Sequence, residues 1–167
     1  MISAIKTMTE QIQAAMRGFN EIILGGVPIW LKQNATAFLS FMCSVAAIDA
    51  LAGYRYRTDN GGERFKDFIR EYFPCEYAPH ADSLYLLRCR ILHNFSLAYF
   101  TLAHATPSAH LVKSSIEDTV LSDDVFFSDL AKAAAKFFDE EQTDPSRQDV
   151  MNERLLKVNK GGAIYYE

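Results

Sequence analysis

Cysteine is scarce in this sequence and does not come in pairs. The three thiols, Cys43, Cys75 and Cys89, are odd in number and follow no paired spacing. That excludes a disulfide framework and points to a reducing compartment. No second pair of Cys or His ligands stands at zinc-site spacing, so no metal is expected. Phosphate-loop, dinucleotide-binding and nucleophile-elbow patterns are missing as well, and Gly61-Gly62 is only a turn signal, so no cofactor is expected. Secretion signals are absent too: Lys6 is followed by TMTEQIQ, which is too polar for a signal core. There is no internal repeat and no low-complexity tract.

Positive charge is not in excess either. The net charge is −4, which by itself disfavours a broad nucleic-acid footprint. The acidity is regional, however. Residues 114–150 hold ten acids against three bases, net −7, whereas residues 55–90 hold seven bases against six acids, net +1. A local positive site facing a phosphate remains compatible with that distribution.

What is present is the balance of a globular protein, 49% apolar and 23% charged over 167 residues. This is the length of one domain, taken as residues 1–167. One stretch, residues 35–53, lacks Lys and Arg and is long enough to cross a membrane. It carries Asp49 together with Thr36, Ser40 and Ser44, and no basic clusters flank it. It therefore reads as a buried core helix, with no membrane partner and a cytoplasmic location expected.

Helical spacing dominates the rest. Ile5, Met8, Ile12, Met16 and Phe19 form one stripe, and Gly25, Gly26 and Pro28 break the run that follows. Asn34 or Thr36 caps the apolar helix, which runs to about Leu51. YRTDNGG is a turn, and GERFKDFIREYF is an amphipathic helix stopped by Pro74. Asp82 or Ser83 opens a helix from about Ala81 through Asn94. After it, aromatic and β-branched residues become frequent, and a β-hairpin is expected at 96–104 and 109–113 around ATPSA, with a longer continuous helix as the alternative. Helices follow at Ser128–Glu141, with Ser128 as cap, and from Ser146 to Asn159, stopping at Gly161-Gly162; the tail AIYYE suggests a short strand. The fold class is mainly α, a helical bundle with a small β appendage.

The residues that carry chemistry sit in LYLLRCRILHN, residues 84–94. Histidine gives and takes protons near neutral pH. Arginine keeps its charge and matches phosphate oxygens with a planar fork. Arg88, Arg90 and His93 together suit phosphoryl transfer, one group moving protons while another stabilises charge on phosphorus. When an RNA 2′-hydroxyl is the nucleophile, that chemistry needs no metal. The plainer reading of the same residues is a polar stripe on a half-buried helix.

Arg88-Cys89-Arg90-Ile91-Leu92-His93 is an R-x4-H motif, and LYLLRCRILH resembles the signature of the HEPN superfamily. The apolar helix containing AIDALAG and the RFKDFIREYFP helix upstream also resemble HEPN proteins, so the likeness covers roughly residues 35–115. It implies a HEPN-like helical bundle that dimerises around the motif helix. It also implies a metal-independent endoribonuclease of a toxin, defence or mobile-element system, with an antitoxin or other system partner. Under it, Arg88 would contact the scissile phosphate and His93 would act in acid–base chemistry, with Arg90 and Asn94 positioning RNA. Other members of the superfamily are catalytically inactive and bind nucleotides, RNA or proteins. Two positions depart from the pattern: Cys89 stands where a polar residue, often Asn, commonly follows the motif Arg, and Phe95 stands where some toxins carry a tyrosine that an antitoxin modifies.

Spacing adds a constraint of its own. At about 100° per residue, Arg88 and His93 point roughly 140° apart, whereas Arg90 and His93 share a face. Either the helix ends near His93 or the site is composite; the expectation is a composite site across a two-fold axis, with Arg88 of one copy near His93 of the other. Asp49, an acid in an apolar helix, needs a partner. Either it orients Arg88, Arg90 or His93, or it pairs with Arg55 or another base or reaches solvent. His104 and His110 would face each other across a hairpin as a metal or phosphate site, or else stand exposed beside a turn. Arg55, Arg57, Arg64, Lys66 and Arg70 form either an RNA-backbone surface or a face that pairs with its own acids.

Overall fold

The structure, a computed structural model, describes residues 8–26, 28, 37–114 and 118–158. Among them, six α-helices and two short strands run in the order α1 (Met8–Phe19), α2 (Ala37–Arg55), α3 (Gly61–Tyr72), α4 (Ala81–Asn94), β1 (Phe100–Ala103), β2 (Thr119–Ser122), α5 (Asp123–Thr143) and α6 (Pro145–Val158). The fold is mainly α, as its patterning implies. Ile5, Asn34, Thr36, Asn159, Gly161-Gly162 and the AIYYE tail lie outside the described residues.

α2 forms the centre. Its residues are almost all apolar because α3, α4, α5 and α6 all pack on it. Phe41, Val45, Ile48, Leu51 and Ala52 are fully buried there. Each large side chain of this kind contributes about 1.5–3 kcal/mol by leaving water. By length and composition α2 alone, among the described helices, is long and apolar enough to cross a membrane, and 44% of its most apolar window is buried inside the protein. α1 lays Ile12 into the same core, and Phe19 meets Phe138 of α5 edge to face at 5.7 Å.

α3 starts where the turn signal stands. The Asn60 side chain accepts hydrogen bonds from the Gly62 and Glu63 amides at 3.1 and 3.3 Å, and Phe73-Pro74 ends the helix. Two other helix starts differ from expectation. α4 begins at Ala81 with no side-chain cap, because a 3-10 turn over Cys75–His80 feeds directly into it. Neither Asp82 nor Ser83 is its cap. α5 begins at Asp123, so Ser128 lies inside the helix; Asp123 and Asp124 accept from the first amides, Asp124 N at 2.8 Å and Val125 N at 2.9 Å.

The hairpin expected at 96–104 and 109–113 does not form. Phe95 closes α4 in the left-handed region (φ 51°, ψ 37°), which also rules out a longer continuous helix. β1 then pairs with β2 in parallel, Phe100 opposite Thr119 through Ala103 opposite Ser122. The ATPSA loop contains a 3-10 turn at Pro107–Ala109 between left-handed residues at Ala105 and Leu111 (φ 46° and 60°), and it carries the chain away from β1. Residues 111–114 instead run antiparallel beside β2: the Leu111 amide donates to Val120 O at 2.8 Å and the Val120 amide to Val112 O at 2.9 Å. A parallel pair requires a long crossover, whose described part is residues 104–114 and 118.

Polar groups join the helices at one end of the bundle. Arg55 meets Glu71 and the Tyr72 hydroxyl, each at 3.0 Å, and the Tyr56 hydroxyl donates to Glu71 at 2.6 Å. Tyr72 donates to Glu140 at 2.7 Å, and Glu140 also pairs with Arg147. One residue further along α5, Glu141 is 1% exposed, and neither of its oxygens has a hydrogen-bond partner among the described residues.

Candidate functional site

α4 buries Leu84, Leu87 and Ile91, positions three and four apart that define its inner stripe. Arg88 lies beside that stripe, facing α2. Its Nη2 is 2.5 Å from Asp49 Oδ2, and each of the two side chains is 21% exposed. Asp49 is thus paired with Arg88 and not with Arg55, which Glu71 and Tyr72 hold. Burial works against the Arg88 charge, and the Asp49 carboxylate more than offsets it, so the guanidinium is held protonated. Arg88 Nε is buried with no acceptor among the described residues.

Cys89 lies against Tyr85, whose ring packs on Phe65 at 5.9 Å. The hydrogen bond with this thiol, followed by burial, raises the Tyr85 phenol above its ordinary range. The same ring approaches Gly62 so closely that a Cβ there would stand 3.1 Å from it. Cys43 and Cys89 are half-buried, Cys75 is exposed, and all three are free thiols.

Arg90, His93 and Asn94 stand exposed, and none of their side chains has a hydrogen bond or ion pair among the described residues. Phe95 follows them, 71% exposed and stacked on Phe38 at 6.1 Å. Within one chain, then, the fold joins Arg88 to Asp49 and leaves Arg90, His93 and Asn94 on the outer flank of α4. Five residues of helix separate Arg88 from His93 by about 7.5 Å along the axis and by about 140° around it.

Beside the Arg88–Asp49 pair lies a cavity of about 310 Å³, lined by Asp49, Ala50, Gly53, Tyr54, Arg64 and Arg154. Arg154 is engaged: it meets Asp59 at 2.8 Å and the carbonyls of Arg57 and Thr58 at 2.9 and 2.7 Å. Arg64 is not. Its side chain forms no ion pair or hydrogen bond among the described residues, and its Nε is buried. The sequence sets Arg64 in a row of bases with Arg55, Arg57, Lys66 and Arg70. Arg55, Lys66 and Arg70 meet acids, Lys66 with Asp82 at 3.0 Å and Arg70 with Asp67 at 3.2 Å and Asp82 at 3.6 Å, while Arg57 is exposed with no ion pair among the described residues. Nothing in the spacing separates Arg64 from that row; only its position over Gly53 of α2 does, where an added Cβ would lie 3.9 Å from the guanidinium carbon.

His104 and His110 do not face each other across a hairpin, nor are they both free at a turn. His104 Nδ1 lies 2.8 Å from Asp123 Oδ2. His110 is half-buried: its Nδ1 accepts from the Ser122 amide at 3.0 Å and its Nε2 lies 2.7 Å from the Tyr77 hydroxyl. Tyr77 donates on to Asp129 at 2.9 Å, and Lys132 donates to the same carboxylate, also at 2.9 Å. Burial lowers the His110 pKa, keeping the ring neutral, with the Nε2 proton pointing to Tyr77. This chain of bonds fastens the crossover to the core. Among the described residues no group of three or more His, Cys, Asp or Glu side chains is placed to hold a metal ion.

No family model, no curated protein and no solved structure matches this chain.

Proposed function

We propose that this chain is a HEPN-like, metal-independent endoribonuclease that works as a cytoplasmic homodimer, in a toxin, defence or mobile-element system with a cognate regulatory partner. One observation carries the reading. α4 holds an Asp49-oriented arginine on one flank and an unpaired, solvent-open histidine in its last turn. Each flank alone is half of a phosphoryl-transfer site, and a two-fold axis joins Arg88 of one copy to His93 of the other. His93 takes the proton from an RNA 2′-hydroxyl, and the 2′-oxygen attacks phosphorus. The 5′-oxygen leaves with a proton from solvent or from the second His93, and a 2′,3′-cyclic phosphate remains. Arg88 stabilises the charge that builds on the phosphoryl oxygens. Arg90 and Asn94, exposed near His93, position the strand.

The test is cleavage of a mixed RNA pool in the presence of a chelator. Wild-type protein cuts, while His93→Ala and Arg88→Ala fall by about a hundredfold or more, the usual scale of a lost general base. Equal cleavage by wild type and His93→Ala removes the proposal.

A second reading is favoured by two specific features, the Asp49 carboxylate already neutralising Arg88 and Cys89 in place of a polar residue. Under it, the chain is a catalytically inactive HEPN-type nucleotide- or RNA-binding or scaffold protein. Thermal stabilisation by nucleotides or short RNAs, without cleavage and lost in Arg88→Ala, selects this reading.

A further inference from the structure

We propose that the cavity between α2, α3 and α6 is a phosphate-binding subsite, with Arg64 as its anion-binding group. The argument is a charge balance within one cavity. Of the ionised side chains in its wall, Asp49 is neutralised by Arg88, and Arg154 by Asp59 together with backbone carbonyls. Arg64 is what remains: a half-buried guanidinium with no acid and no acceptor among the described residues. A charge partly removed from water without a partner is costly, and a bound anion offsets that cost.

The shape of the wall narrows the ligand. Gly53 and Ala50 present almost no side chain, so a ligand approaches the surface of α2 closely, and Tyr54 adds an aromatic flank whose hydroxyl has no partner among the described residues. A volume of about 310 Å³ is at the small end of ligand sites and suits one nucleotide unit, not a folded partner. The planar fork of arginine matches phosphate oxygens, and the flat apolar wall accommodates a sugar or base. That the phosphate belongs to an RNA strand, one unit from the bond cut at Arg88, rests on the ribonuclease reading; the anion site itself does not.

The test uses the full chain and measures binding of inorganic phosphate, AMP, adenosine and a short RNA whose cleavage-site 2′-oxygen is methylated. Wild type is compared with Arg64→Ala, Arg64→Lys, Gly53→Leu and the charge control Arg57→Ala. AMP should bind better than adenosine and weaken by about tenfold or more in Arg64→Ala, as expected for a lost charge-assisted pair, and less in Arg64→Lys. Gly53→Leu keeps Arg64, improves helix propensity and fills the cavity, so it should weaken AMP equally without unfolding the protein. Arg57→Ala, which removes an exposed charge outside the cavity, should bind as wild type does. RNA bound more tightly than AMP identifies the phosphate as part of a strand, and the reverse identifies a free nucleotide. Arg64→Ala and Arg57→Ala behaving alike, or Gly53→Leu leaving AMP binding intact, overturns the subsite. A protein that never cuts RNA yet shows Arg64-dependent binding overturns only the ribonuclease reading.

Discussion

Arg88 of α4 and Asp49 of α2 meet at 2.5 Å, and each keeps about a fifth of its side chain in solvent. That contact explains how an arginine is tolerated beside the apolar stripe of α4. It also fixes one flank of the motif helix against the central helix of the bundle. A pair this far from full exposure lies between surface bridges, worth up to about 1 kcal/mol, and buried ones, where losing one partner costs about 3–5 kcal/mol. Asp49→Ala and Arg88→Ala should therefore each destabilise by about 1–3 kcal/mol. The double variant should lose less than the sum, with a coupling of about 1 kcal/mol in a urea double-mutant cycle. Strict additivity would mean that the two charges do not support one another.

A composite site makes a prediction that no single-chain site makes. Arg88→Ala and His93→Ala, each inactive alone, should restore one another when mixed and allowed to exchange subunits. In a mixed dimer, one groove receives Arg88 from one chain and His93 from the other, both intact. Random exchange makes half the dimers mixed, with one sound groove in two, so recovery should approach about a quarter of wild-type cleavage. Light scattering at the same concentration should report twice the chain mass. Mixing without recovery, in a sample shown to exchange, places both residues in one chain's site or in none.

The His110–Tyr77–Asp129 chain predicts a stability change and its sign with pH. Tyr77→Phe removes the hydroxyl joining the ring to the carboxylate, leaving two partly buried polar groups short of a partner, and should cost about 1–3 kcal/mol. Burial keeps the His110 pKa below its ordinary 6.5. The unfolded chain therefore takes up the proton first as pH falls, and stability from this residue is complete above about pH 6.5 and lost below it. Urea midpoints of wild type and His110→Gln at pH 7.5 and 5.5 should show wild type losing stability relative to the variant at the lower pH, a difference in which the other titrating groups cancel.

How far the sequence revealed this molecule depends on the range of the forces involved. Local signals were legible: the Asn60 turn, the Pro74 stop, and the buried aromatics of α3 at helical spacing all appear where they were expected. The sheet was not. A parallel pair between residues 100–103 and 119–122 is non-local, and left-handed Phe95, Ala105 and Leu111 have side chains that do not advertise that conformation. The same divide runs through the candidate site. Asp49 announced itself as an acid in an apolar helix, and spacing alone separated Arg88 from His93. Arg64 gave no signal, since its distinction is a buried Nε with no partner among the described residues, whereas Arg55, Lys66 and Arg70 have each found an acid and the unpaired Arg57 stands exposed.

Glu141 should act on stability in the direction opposite to His110. It is buried in α5 with both oxygens unpartnered, and burial raises its pKa to about 7, although Arg55 and Arg147 pull it down while Asp144 and Glu140 push it up. An unfolded glutamate ionises near 4.5. Between those two values the unfolded state sheds its proton while the folded state keeps it, so stability falls as pH rises from about 4.5 to about 7 and then levels off. The shift corresponds to roughly 3 kcal/mol. Glu141→Gln does not ionise, so its stability relative to wild type should climb by about that amount across this window and stay constant above it. His110 loses stability as pH falls through part of the same range, so the wild-type curve alone mixes the two effects. The difference between wild type and Glu141→Gln, measured by urea unfolding at pH 4.5, 6 and 8, isolates the carboxyl, and a difference that stays flat across the three would show that Glu141 is solvated or paired in the folded protein.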